Sequence, residues 1–149
     1  HSSNWDFVIG AAGMLALDLE LCFLGKHTLF EGPLAPLMRG LGGIPVDRSQ
    51  PGAGSVAEMA ARFAAADRLL LALAPEGTRR AVGRWKTGFH SIAVAAQVPI
   101  VAVALDWGAH EIRFGPLLRP STEVERALGV FVEFFSGARG RRPPVAAAS

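Results

Sequence analysis

Residues 69–79, LLLALAPEGTR, are the stretch of sequence that decides the fold. The first six residues are all apolar, and Pro75 ends the run. An apolar run of this length predicts a strand buried on both faces, as in the parallel sheet of an α/β protein. The polar loop at 76–79 then lies at the carboxyl end of that strand, where open α/β sheets bind their ligands.

Helical and strand-like segments alternate on both sides of this run. Besides 69–74, the patterns predict strands over 21–24, 44–46, 100–105 and 110–114, and helices over 5–20, 37–41, 88–97, from 55 onward and from 122 onward. The helices from 55 onward and from 122 onward are expected to begin with capping boxes, formed by Ser55 with Glu58 and by Thr122 with Glu125. Residues 100–105 are apolar on both faces, as in a parallel sheet. The alternation predicts an α/β fold, a mostly parallel sheet flanked by helices.

Length and composition fit one domain with a substantial core. The chain has 149 residues, of which 50% are apolar and 19% charged, a balance that excludes disorder over most of its length. The mean hydropathy of +0.31 indicates extra apolar surface, which faces a membrane, a lipid or a partner. The longest uncharged apolar run near the start, 7–17, is shorter than the roughly 20 residues that span a bilayer.

The positive charge is concentrated at the end of the chain. Residues 137–149 contain Arg139, Arg141 and Arg142 and no acid, whereas the rest is close to neutral. The sequence pI of 9.3 therefore does not indicate nucleic-acid binding, and no nucleic-acid partner is expected. We predict a domain over 1–136 and a basic, disordered tail over 137–149. The tail either contacts anionic lipid head groups or is a solvated terminus.

The first six residues, HSSNWD, place His1 five positions before Asp6. A neutral imidazole abstracts a proton from a hydroxyl at physiological pH, and a nearby carboxylate fixes its tautomer and stabilises the imidazolium. The alternative interpretation is that Asp6 caps the first helix. Since no nucleophile of the protein accompanies the pair, the pattern indicates a hydroxyl of the substrate as the nucleophile.

Two further segments bring cations to loops. Residues 42–48, GGIPVDR, end in Arg48, whose guanidinium suits bidentate binding of phosphate, and Lys26 is a second candidate. In the 76–79 loop, Glu76 and Arg79 supply a carboxylate and a cation, and Gly77 allows close approach of the backbone. Each segment could also be a solvated surface turn.

In this order, the segments HSSNWD, GGIPVDR, APEGTR and VPIVAVAL resemble the lysophosphatidate and glycerol-phosphate acyltransferase family. The resemblance covers about the first 105 residues, and the short length is similar to that of small bacterial members. It implies a glycerol-phosphate acyltransferase-like fold. The family has a strand directly before its His, so we expect this chain, which begins with His rather than Met, to be truncated and to lack that first strand.

The resemblance also implies a role for each matching residue. His1 would be the general base that deprotonates the acceptor hydroxyl, and Asp6 would orient it. Arg48 would bind the acceptor's phosphate, with Lys26 as a weaker second candidate. Glu76, Gly77 and Thr78 would shape the acceptor site, and Arg79 would assist with the phosphate.

The same resemblance implies the substrates and the location. The acceptor would be a lysophospholipid, with 1-acylglycerol 3-phosphate as the default, and the donor would be acyl-CoA or acyl carrier protein as co-substrate. No cofactor and no metal are expected, because Cys22 and the scattered residues His27, His90 and His110 form no ligand set. We expect a cytoplasmic protein, peripheral on the surface of the cytoplasmic membrane. The oligomeric state cannot be read from the sequence.

Three alternatives remain open from the sequence. The acceptor could be a different hydroxyl, since the same base would serve. The chain could be a non-catalytic lipid-binding relative that retains the motifs. A phosphate-ester hydrolase would need metal ligands or a covalent His partner, which the sequence does not offer as a set.

Overall fold

The computed structural model describes residues 4–46, 53–75 and 85–140. In chain order the elements are α1 (Asn4–Ala16), β1 (Leu21–Lys26), a 3-10 helix (His27–Phe30), α2 (Ala35–Gly40), β2 (Gly43–Val46), α3 (Ala53–Ala65), β3 (Leu70–Ala72), α4 (Gly88–Ala96), β4 (Ile100–Asp106), β5 (Glu111–Leu118) and α5 (Val124–Ser136). The predicted α/β fold with a helix-flanked parallel sheet is confirmed. None of the helices in these three ranges is long and apolar enough to cross a bilayer.

The parallel sheet has the strand order β2-β1-β3. In the register of the sheet, Phe23 of β1 lies between Gly43 of β2 and Ala72 of β3. Because all three strands run the same way, their carboxyl ends lie at one edge. The segments that follow β2 and β3, which contain two of the motifs, therefore leave the sheet from the same edge.

The strand at 100–105 is not part of that sheet in the described chain. β4 pairs antiparallel with β5, from Ile100 opposite Leu118 to Asp106 opposite Glu111. The expectation of a parallel strand was wrong because an apolar run reports burial on both faces and not the direction of the partner. A four-residue turn at 107–110 reverses the chain, and His110 adopts a left-handed conformation with φ of 56°.

The main core lies between the parallel sheet and two helices. Ile44 of β2, Met59 of α3 and Ile92 of α4 form its buried centre, with Met59 only 1% exposed. Partly buried residues from the sheet and from α3 pack around them: Cys22, Leu24, Leu71, Leu73, Val56 and Phe63. The apolar residues that the sequence places at helical spacing in α3 therefore face the sheet.

The β4–β5 pair has its own helical cover. Phe131 of α5 is buried, and its ring lies 6.1 Å from that of Phe89 of α4. On the side of α1, Gly13 lies so close to Ile112 of β5 that a Cβ there would be 2.6 Å from its Cδ1. The first helix thus packs on the antiparallel pair, and this places the start of α1 near the turn at 107–110.

Neither α3 nor α5 begins at the residue that the predicted capping boxes indicate. α3 begins at Ala53, so Ser55 lies inside its first turn rather than at the N-cap. The N-cap of α5 is Glu123 instead of Thr122. Here the Ser121 hydroxyl accepts the Glu123 N–H at 3.3 Å and the Thr122 carbonyl accepts the Val124 N–H at 3.1 Å. Local hydrogen bonds of this kind compete with a capping box for the same residues.

Gly42 is required by the close approach of β1 and β2. Its φ is 82°, and a Cβ at this position would lie 2.0 Å from the Leu21 carbonyl oxygen. We expect Gly42→Ala to lower the free energy of unfolding, measured by urea titration, by about 2 kcal/mol or more. Gly40→Ala is the matched control, since among the described residues no atom lies within 4 Å of the added carbon. Equal stability of the two variants would contradict this account of Gly42.

Candidate active site

Two of the predicted site segments follow strands that end at the carboxyl edge of the parallel sheet. β1 ends at Lys26, which is level with Val46 at the end of β2. The chain continues from Val46 toward Arg48 and from Pro75 toward Glu76. Of the predicted site residues, Asp6 and Lys26 are described. The others lie outside the described residues: His1, Arg48, Glu76, Gly77, Thr78 and Arg79.

Lys26 lies at the position expected for a second cation. It is the last residue of β1, is exposed, and precedes the 3-10 helix. The structure therefore presents the Lys26 ammonium group at the edge of the sheet where β2 also ends.

Pro75 and Lys86 lie on either side of the 76–84 segment. The Lys86 N–H donates to the Pro75 carbonyl at 2.9 Å, so the two ends of the segment are joined by a backbone hydrogen bond. Helix α4 starts two residues later, at Gly88. The first residue of the P-E-G-T-R motif is thus hydrogen-bonded to the segment that leads into α4.

Asp6 lies in the first turn of α1 and is buried, with 8% exposure. One of its carboxylate oxygens, Oδ1, accepts a hydrogen bond from the indole Nε1–H of Trp107 at 2.8 Å. Because α1 begins at Asn4, Asp6 lies inside the first turn of the helix rather than before it. Its carboxylate is held by a side chain from the far end of β4.

The turn that carries Trp107 is built on a second buried carboxylate, Asp106. Its Oδ1 accepts the N–H groups of Gly108 at 2.9 Å, Ala109 at 3.1 Å and Arg139 at 3.4 Å. Its Oδ2 lies 3.3 Å from Nη2 of Arg113. The Ala109 N–H is the main cause that keeps the pKa of Asp106 below its usual value, while burial opposes the shift and the other partners assist it. Asp106 is thus a fixed anion that organises the turn.

The segment after α5 packs against the turn that carries Trp107. The main-chain N–H of Trp107 donates to the Arg139 carbonyl at 2.8 Å, and the Arg139 side chain lies over Gly108, so that an added Cβ there would meet its Cδ at 2.7 Å. Arg139 belongs to the stretch predicted as a tail, of which 137–140 are described and 141–149 lie outside the described residues. The start of that stretch is held against the turn that holds Asp6.

Sequence reasoning missed Trp107, Asp106 and Arg139. Trp107 directly follows the apolar run of β4, and its partner is 101 residues away, so no local pattern could reveal the contact. Within the ranges that the structure describes, no three His, Cys, Asp or Glu side chains lie together as a metal-binding group.

Comparison with known proteins gives one finding. A family model described as Acyltransferase matches residues 1–106, which is well over half of the chain and includes all four motifs. No curated protein and no solved structure shows a significant match to the chain.

Proposed function

Since the chain belongs to the acyltransferase family, we propose that it transfers a fatty acyl group to the hydroxyl of a lysophospholipid, with 1-acylglycerol 3-phosphate as acceptor and phosphatidic acid as product. The donor is acyl-CoA or acyl carrier protein. The observation that carries the proposal is the family match over the stretch that contains His1 and Asp6, together with the buried, hydrogen-bonded carboxylate of Asp6.

The reaction needs one base and no nucleophile from the protein. His1 takes the proton of the acceptor hydroxyl while that oxygen attacks the thioester carbonyl carbon. The Asp6 carboxylate stabilises the imidazolium that forms. The tetrahedral intermediate collapses with cleavage of the C–S bond, and the sulfur leaves as a thiol after receiving the proton from His1. The products are the new ester and free CoA or carrier protein.

Phosphate on the acceptor is favoured by the cations that follow the sheet edge. In the sequence Arg48 is two residues beyond the end of β2 and Arg79 is four residues after Pro75, and Lys26 ends β1. In this proposal Arg48 and Arg79 bind the phosphate, Lys26 adds positive charge, and Glu76, Gly77 and Thr78 line the acceptor site. Guanidinium groups bind phosphate bidentately, so a phosphate-bearing acceptor fits this set better than a neutral lipid does.

Peripheral binding to the cytoplasmic membrane surface is part of the same proposal. The described side chains of α1 that face outward are apolar, with Val8, Ile9 and Leu15 between 38% and 74% exposed. Asp6 is the one charged residue in the sequence of α1, and it is buried. A helix surface of this composition favours contact with the acyl region of a bilayer, where the acceptor lipid resides.

The direct test is release of CoA from a long-chain acyl-CoA in the presence and absence of lysophosphatidate. We expect release that requires the lipid, and ester formation that matches it in amount. Release that appears only with acyl carrier protein or with another hydroxyl acceptor would keep acyl transfer and correct the substrates. Binding of lipid vesicles without turnover on any donor would favour the alternative of a non-catalytic lipid-binding relative.

The Arg48→Ala variant tests recognition of the acceptor's phosphate separately from the chemical step. We expect Arg48→Ala to raise the KM for lysophosphatidate about 30-fold with little change in kcat, because a charge-assisted contact contributes about 2 kcal/mol. Turnover of monoacylglycerol, which has no phosphate, should be the same in both proteins.

Arg62→Ala is the matched control for that variant. Arg62 is an exposed residue of α3 whose guanidinium pairs with Glu58 at 3.1 Å, and its removal should leave KM unchanged. A KM for lysophosphatidate that does not rise in Arg48→Ala would refute the phosphate role of Arg48.

A further inference from the structure

The hydrogen bond between Trp107 and Asp6 joins the start of the family-matched region to the residue that directly follows its end. Its length of 2.8 Å is that of a strong N–H···O contact to a carboxylate. Asp6 is 8% exposed, and Trp107 is half-buried. A partly buried bond of this kind is screened less by solvent than a surface contact, so it restrains the carboxylate more strongly.

Trp107 itself is held from several sides. Its main-chain N–H donates to the Arg139 carbonyl at 2.8 Å. The preceding residue, Asp106, is fixed by three backbone N–H groups and by Arg113. The indole is therefore presented from a turn with little freedom to shift, and it can act as a rigid donor toward α1.

We propose that Trp107 is a positioning residue that sets the orientation of the Asp6 carboxylate and, through it, of the His1 base. This inference rests on the proposed function. An indole N–H on one carboxylate oxygen fixes the plane of the carboxyl group, and so fixes the direction in which its remaining lone pairs point. A carboxylate that is free to rotate would hold the imidazole in the productive tautomer and orientation for only part of the time.

The test is Trp107→Phe, which keeps an aromatic ring and removes the N–H donor. We expect kcat to fall about tenfold or more, with the KM values for both substrates changed by less than about twofold. In an Asp6→Ala background the same substitution should cause no further loss of kcat, because the carboxylate through which Trp107 acts has been removed. Losses that multiply, or a Trp107→Phe enzyme as active as the unmodified protein, would overturn the proposal.

A stability control separates positioning from general loosening of the fold. Phe63→Leu removes part of a half-buried aromatic residue in the core between α3 and the sheet. When each variant is assayed at the same interval below its own melting temperature, Phe63→Leu should retain kcat. Trp107→Phe should not. A similar fall of kcat in both variants would assign a merely structural role to Trp107.

Nuclear magnetic resonance distinguishes failure of this inference from failure of the proposed function. If the unmodified protein transfers no acyl group to any acceptor, the proposed function fails. The positioning role is then decided by the imidazole signals of His1 at fixed pH. A change of these signals in Trp107→Phe, matched by faster hydrogen exchange of the indole N–H in Asp6→Ala, supports the relay from Trp107 through Asp6. Unchanged His1 signals would refute it.

Discussion

Replacing His1 by alanine is expected to lower kcat for acyl transfer about 1,000-fold, while the KM for lysophosphatidate stays within about twofold. The loss follows from the role of the base. Without it the hydroxyl attacks as a neutral nucleophile, and general base catalysis contributes about 100- to 10,000-fold. Binding of the acceptor depends in the proposal on Arg48 and Arg79, which the substitution leaves in place. The measurement is CoA release at saturating concentrations of both substrates.

The control for this variant is a second histidine, which directly follows β1. His27 is an exposed residue of the 3-10 helix that follows β1, 3.8 Å from Glu31, and His27→Gln should leave kcat unchanged. Loss of transfer in His1→Ala with retained lipid binding supports the base role. Unchanged transfer would show that another group removes the proton, and it would remove the reason for assigning Asp6 to the mechanism.

Replacing Met59 by alanine is expected to lower the free energy of unfolding by about 3 kcal/mol. Met59 is 1% exposed and lies between Ile44 of β2 and Ile92 of α4, where α3, α4 and the parallel sheet meet. Truncation of a buried methionine removes dispersion contacts and leaves a cavity that the surroundings fill only in part. Since the stability of a domain is about 5–15 kcal/mol, the loss is a large fraction of the total. Urea titration followed by circular dichroism measures it.

Met38→Ala provides a control with the same change of side chain. Met38 lies on α2, is only partly buried, and is not a member of the Ile44–Met59–Ile92 cluster. Its truncation should cost less than half as much as that of Met59. Equal losses would mean that the contact between the sheet and its two helices is not the centre of the fold.

Apolar runs and helix breakers in the sequence located most of the elements. The strands at 21–24, 44–46 and 69–74 pair in a parallel sheet, as predicted, because their apolar residues face helices on the sheet. β4 was misassigned because its composition is compatible with either strand direction. The deciding interaction is the turn at 107–110, in which the Asp106 carboxylate binds the N–H groups of Gly108 and Ala109. An aspartate at the end of an apolar run does not by itself reveal such a turn.

The predicted helix starts at Ser55 and Thr122 were wrong for a related reason. Ser55 and Glu58 have the required spacing, but α3 already begins at Ala53. The spacing of two side chains is a weak signal when the preceding residues are also able to adopt helical conformation, as Ala53 is.

For the site, the four motifs indicated the acyltransferase family, which the family match confirms. The individual roles of His1, Arg48 and Glu76–Arg79 stay predictions, because those residues lie outside the described part of the chain. Asp6 is described, and its burial agrees with a function inside the protein. The sequence could not indicate Trp107, since a hydrogen bond between residues 6 and 107 depends on the packing of α1 against the β4–β5 pair.

The long separation between Asp6 and Trp107 has a consequence for biosynthesis. While the chain is being made from its amino end, α1, the parallel sheet and α4 all emerge before Trp107 does. A partly synthesised chain can therefore bury its main core, yet it lacks the donor that fixes Asp6 and the Arg139 carbonyl that fixes Trp107. Contacts between distant positions of the chain form late because closing a long loop costs entropy. In the proposed mechanism, Asp6 therefore reaches its hydrogen-bonded position at the end of folding, after the hydrophobic core is complete.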